Sequence, residues 1–239
     1  MLQYISICIM AVLAGLSQGV CGFGAGILMM LVLPIFYPVS TAAGISGAMS
    51  LALTFMMVVR YRRAICVKKM LLPLVVYALC SATAIHFSSR VDPALLKRIF
   101  GGFLICLAIY HFSLAGKQPR AWRFPTALAA WAFSGACSGL FSVGGPLMVL
   151  YFLAHTDSKE EFLGTTELLF VLNLAMNAYL RVRNGILTLD LLPTIAAAII
   201  FVSVGLYIAN RIVDHIDGDR LKNIVYIGVG ISGVLNLLH

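Results

Sequence analysis

Two glycine-rich stretches carry the residues best suited to chemistry. At 15–26 the chain reads GLSQGVCGFGAG, and at 138–146 it reads SGLFSVGGP. Gly19, Gly22, Gly24 and Gly26 in the first, and Gly139, Gly144 and Gly145 followed by Pro146 in the second, favour unwinding in mid-segment. Pro146 suits the first turn of a new helix, where its missing N–H is no loss. A break of this kind exposes N–H groups at a half-helix N-terminus, which carries partial positive charge and holds an anion without a basic side chain. Ser17, Gln18, Ser138 and Ser142 stand beside the breaks as neutral hydrogen-bond partners. The expected substrate site therefore comprises Ser17, Gln18, Gly22, Gly24, Gly26, Ser138, Ser142, Gly144 and Gly145. Glycine in membrane helices also permits close packing, but the same pattern at two equivalent places, one with proline, favours a functional break. GFGAG is not a nucleotide fingerprint, because no βαβ context surrounds it.

Glu167 is the one acidic residue well inside an apolar run, where a charge costs at least about 2.5 kcal/mol. It needs a partner or a task. Thr166, Asn173 and Asn177 share one helix face, with Glu167 turned about 100° away. Asn173 and Asn177 are expected to face a translocation path. Glu167 is a proton carrier, or it sits near the interface, or it is simply neutral and hydrogen-bonded. Ser46, Ser50 and Thr54 form a similar stripe, but such side chains commonly bond their own helix. His86 and His111 lie near segment ends and read as solvated or packing groups, and Asp190 reads as a dipole partner at a helix start. The six cysteines show no CxxC pair, and five lie in apolar stretches as small hydrophobes. No metal-ligand spacing, HExxH or GxSxG appears, so no metal, cofactor or hydrolase activity is expected.

The elements that must position these groups follow from composition. Of 239 residues, 61% are apolar and only 11% charged, which excludes an ordinary soluble enzyme. Apolar stretches run at about 4–36, 41–59, 70–87, 99–115, 125–154, 162–180, 188–209 and 223–238, predicting an all-α polytopic membrane protein. The formal charge of +8 comes from basic residues between and at the ends of these stretches, the distribution that orientation in a membrane requires; nucleic acid is not an expected partner. The opening residues lack a basic n-region and the apolar pattern runs past them, so a cleaved signal peptide is not expected.

The chain also repeats itself. At an offset of 120 residues Gly15 meets Gly135, Gly19 meets Gly139, Gly24 meets Gly144 and Gly44 meets Gly164; LLP at 71–73 meets LLP at 191–193, and with slippage LKRI at 96–99 meets LKNI at 221–224. The expected organisation is two repeats, 1–120 and 121–239, of four hydrophobic segments each, with the first segment of each broken by its glycine motif. A stretch of 33 residues as one straight helix reaches about 50 Å, well beyond a 30 Å hydrocarbon core. Either it spans once and the repeats are parallel, or it folds into a re-entrant hairpin and the repeats are inverted. With loop 60–69 in the cytoplasm, the spanning arrangement puts 10 basic residues inside and 7 outside, and the hairpin arrangement 12 and 5, which leans towards hairpins.

GLSQGVCGFGAG near the start, SGLFSVGGPLMVLYF opening the second half, and LGTTELLFVLNLAMN after it together resemble the sulfite exporter TauE/SafE family, also called the toluene sulfonate uptake permease family. The resemblance covers nearly the whole chain; Ser142 and Val143 replace part of the family's longer second glycine run. It implies a multi-pass transporter of the bacterial inner membrane for sulfite, a sulfonate or a similar small anion. Combined with the residues, the expectation is a secondary carrier working by alternating access, with protons as a partner through Glu167. A passive anion channel and a membrane scaffold or assembly subunit are the alternatives.

Overall fold

The computed structural model describes residues 2–21, 24–88, 90–114, 122–212 and 218–238. Among them are ten α-helices: α1 (Leu2–Cys21), α2 (Ala25–Phe36), α3 (Val39–Tyr61), α4 (Val67–Ser88), α5 (Pro93–Leu114), α6 (Phe124–Phe141), α7 (Gly145–His155), α8 (Lys159–Arg183), α9 (Leu192–Ile212) and α10 (Gly218–Leu238). The described residues contain no strand. Seven helices (α1, α3, α4, α5, α6, α8 and α9) are long and apolar enough to cross a membrane, as the composition predicts. By contrast α2 and α7, of 12 and 11 residues, reach only about 17 Å. Apolar side chains such as Leu79, Ile109, Ile200 and Tyr207 point outward, where lipid is their natural solvent.

Helix ends follow local chemistry. The Ser158 hydroxyl accepts the Glu161 N–H at 3.1 Å, Glu160 and Glu161 occupy the first turn of α8, and Arg181 and Arg183 its last, so both ends of its dipole are complemented. Gly24, just before α2, has φ 107°, a left-handed conformation that glycine adopts without a steric penalty.

Contacts between helices fix their relative directions. Gly205 of α9 lies against Val12 and Ala209 against Gly19, so α1 and α9 run the same way. Tyr37 meets Thr194, and Arg60 meets Asn210, so α3 runs that way too. Two parallel helices joined by α2 require α2 to turn back, and Gly26 duly sits beside Ser46 and Ser50 in the middle of α3. α1 and α2 therefore form a helical hairpin, with α1 against α9 and α2 against α3. In the second half Gly135 and Gly139 pack on Tyr77 and Ser81, while Lys69 meets Glu161 and Ser81 meets Asn177. Thus α6 and α8 both run with α4, and α7 folds back between them. The hairpin of the first half enters from the face where α4 ends; that of the second enters from the opposite face, where α4 begins.

Among the described residues, Arg60, Arg62, Arg63, Lys68, Lys69, Arg123, Lys159 and Arg211 lie at one end of the bundle, called here the basic face, and Arg90, Lys97, Arg98 and Arg183 at the other, the far face. The other long helices are α3, α4 and α5 before residue 120 and α8, α9 and α10 after it.

The glycines divide between two jobs. Gly15 and Gly135 let helices touch: a Cβ on Gly15 would fall on the Val202 carbonyl of α9, and one on Gly135 would fall on the Tyr77 carbonyl of α4. The partners of these close approaches fall at a constant distance in the chain. Val202 lies 125 residues after Tyr77, and Ala209, against Gly19, lies 125 after Ala84, against Gly139. Pro73 sits inside α4 and Pro193 in the first turn of α9, and the slipped LKRI and LKNI pair also has a spacing of 125.

Candidate functional site

The tips of the two hairpins meet at mid-depth. A Cβ on Gly26 would lie 2.7 Å from the Ser142 carbonyl oxygen, and the Ser142 hydroxyl donates to the Ala43 carbonyl of α3 at 2.6 Å. Ser46 of α3 donates in turn to the Gly26 carbonyl at 3.2 Å. Between the tips is a cavity of about 60 Å³, enough for a few waters or one small ion. Gln18, Gly24, Gly26, Ser138, Ser142, Gly144 and Gly145 line it, together with Ser50, Thr54, Tyr77 and an apolar wall that includes Phe170 and Leu174. No charged side chain lines it. The first turns of α2 and α7 begin at this cavity, and their N–H groups have no acceptor inside their own helices.

Gln18 connects the cavity to Glu167. Its carbonyl oxygen accepts the Ala25 N–H at the start of α2 at 3.3 Å, and its amide nitrogen donates to Glu167 Oε1 at 2.7 Å. Glu167 is completely buried and does not line the cavity, and its Oε2 has no hydrogen-bond partner among the described residues. The bond from Gln18 suits a neutral carboxyl as well as an ionised one.

Asn173 and Asn177 also stop short of the cavity and reach it through Ser138. Their amide nitrogens donate to the Ser138 hydroxyl at 3.1 and 3.5 Å, and the Ser81 hydroxyl donates to the Asn177 carbonyl at 2.8 Å. The Tyr77 hydroxyl is hydrogen-bonded to Ser138 as well. Ser138 is thus the node joining α4, α6 and α8. Ser17 is buried behind the first break, its hydroxyl 3.0 Å from where a Gly24 Cβ would sit. Gly22 lies outside the described residues.

Three features go beyond the sequence expectations. Tyr77 lines the cavity, though a lone tyrosine in an apolar run gave little signal; Ser81 one turn later was the hint. Of the Ser46, Ser50 and Thr54 stripe, Thr54 does bond its own helix at 2.9 Å, but Ser46 bonds across to α2, and the buried Ser50 hydroxyl faces the cavity with no partner among the described residues. Finally, Arg181, counted by hydropathy as lying at the end of a segment, is 2% exposed. It continues the Asn173 and Asn177 stripe by one more turn, which was the available signal.

Other polar groups pair nearer the surface. Lys69 on α4 pairs with Asp157 at 2.8 Å and with Glu161 at 2.9 Å on the basic face. His111 stacks on Tyr226 and bonds Asn223, as a packing histidine does. Cys137 is buried and Cys8, Cys66 and Cys80 are half-buried, whereas Cys106 is exposed on the apolar exterior rather than inside.

Residues 7–235 match the family described as Sulfite exporter TauE/SafE. Neither the curated proteins nor the solved structures gave a match.

Proposed function

The chain belongs to the sulfite exporter TauE/SafE family, and from that premise we propose that it is a secondary transporter of a small sulfur-containing or organic oxyanion across the bacterial inner membrane. A multi-pass membrane protein that moves sulfite or a related anion is what membership of the family and the seven apolar helices support. The finer reading rests on one observation: two re-entrant tips, entering from opposite faces, enclose a central cavity that offers hydroxyls, an amide and helix N-termini but no fixed charge. Such a site stabilises one or two negative charges by oriented dipoles. It also releases them easily, as a carrier must.

The two halves, 1–120 and 121–239, act as inverted repeats that rock about the tips and open the cavity to each face in turn. The basic face lies in the cytoplasm, where excess Lys and Arg belong. Gln18 couples the site to Glu167, which carries a proton with the anion. The test is reconstitution in liposomes with a panel of sulfite, taurine, sulfoacetate and small carboxylates. A carrier shows saturable flux with counterflow for at least one of them. Flux without counterflow makes the protein a channel, and neither behaviour leaves it a scaffold.

A further inference from the structure

We propose that Arg181 is a second, transient binding point for the transported oxyanion, on the route between the far face and the central cavity. This rests on the transport reading above.

Arg181 is 2% exposed near the end of α8. Its Nη1 donates to the Ser40 carbonyl of α3 at 2.8 Å and its Nη2 to the Gly139 carbonyl of α6 at 2.6 Å, while Nε has no partner among the described residues. No carboxylate faces it. Glu167, the one buried acid among the described residues, is fourteen residues earlier on the same helix, or about 21 Å away. Two carbonyl oxygens orient a guanidinium but do not neutralise it, and an unpaired buried cation is destabilising. Supporting the last carbonyls of α6 needs only a neutral donor. The C-terminal ends of α6 and α8 supply only partial negative charge at Arg181, so its full cation has no counter-ion among the described residues.

Its position suits a transient counter-ion. The carbonyl it holds, Gly139, follows Ser138 of the cavity, and Asn177, one turn before Arg181, also bonds Ser138. On the other side Ser40 lines a recess of about 350 Å³ at the far face, together with Ser88 and Asn184. Arg181 lines neither space itself, but one of its acceptors, Ser40, borders the recess and the other, Gly139, adjoins Ser138 of the cavity. Its planar fork matches two oxygens of a sulfite, sulfonate or carboxylate group. Its two present acceptors belong to different parts, the second hairpin and α3, so separation of these frees the fork for the anion, which then passes to Ser138.

Sulfite counterflow in proteoliposomes tests this with wild type, Arg181→Gln and Arg181→Lys. In Arg181→Gln the half-saturation concentration is expected to rise about tenfold or more, with a smaller fall in maximal rate. Arg181→Lys keeps the charge without the fork and is expected to rise about threefold or more. Either variant, once inserted, with the wild-type half-saturation overturns the assignment. Failure of both variants to insert also overturns it, marking a structural brace. If the wild type itself shows no saturable exchange, the transport reading falls and takes this inference with it; wild-type exchange with unaltered variants removes only the role of Arg181.

Discussion

Gln18 and Glu167, 149 residues apart in the chain, are joined by a buried hydrogen bond of 2.7 Å that ties the tip of the first hairpin to the central helix α8. Because the same Gln18 also accepts the first N–H of α2, a change at Glu167 is felt at the anion cavity. Movement of either partner breaks or strains this connection.

Replacing Glu167 by glutamine keeps an acceptor for Gln18 but removes the proton-carrying group. Counterflow of the anion is expected to survive within about threefold, while accumulation driven by a pH gradient drops to the level seen without one. Parallel uptake assays with and without the gradient decide this. Full gradient-driven accumulation in the variant would remove the proton role.

Gly144→Ala should abolish transport and lower stability by about 1–3 kcal/mol, the usual cost of overpacking. Its Cβ would collide with the Tyr77 hydroxyl and the Ser134 carbonyl. Gly102 has nothing within 4 Å of its Cβ position, so Gly102→Ala is the control and should be neutral. Thermal unfolding in detergent, with uptake on the same preparations, makes the comparison; equal behaviour of the two variants would show that the break is not tightly built.

Tyr77→Phe deletes one hydroxyl from the cavity and from Ser138, leaving the ring packed beside Phe170, 6.3 Å between centroids. A neutral hydrogen bond is worth about 1 kcal/mol, so half-saturation should rise roughly three- to tenfold with normal insertion. An unchanged value would place the substrate away from this wall.

The re-entrant fold makes a sidedness prediction. In a cysteine-free background, Ala64→Cys and Asp157→Cys should label with an impermeant maleimide from the same face, and Asn184→Cys from the other. Labelling of positions 64 and 157 from opposite faces would mean that the first segment of the second half crosses the membrane instead of turning back.

Much of this protein was determined by sequence alone, because the signals involved are local. A run of apolar residues, a glycine cluster with a following proline and the distribution of Lys and Arg each act on their own stretch of chain. They gave the helices, the breaks before Ala25 and Gly145, and the bias of Lys and Arg towards one side. Gln18, Ser138 and Ser142 were visible for the same reason, as polar neighbours of those breaks.

Tertiary structure decided what the partners are. In a membrane, lipid is as apolar as the protein core, so hydrophobic periodicity does not say which helix face is buried. Ser50 and Thr54 therefore looked alike until α2 and α3 were set together, and only Ser50 proved to lack a local partner. Tyr77 entered the site because α6 crosses α4 at Gly135, and Arg181 became an interior charge because Ser40 and Gly139 close over it. The parallel run of α1, α3 and α9 is likewise a relation between distant segments that no single stretch of sequence contains.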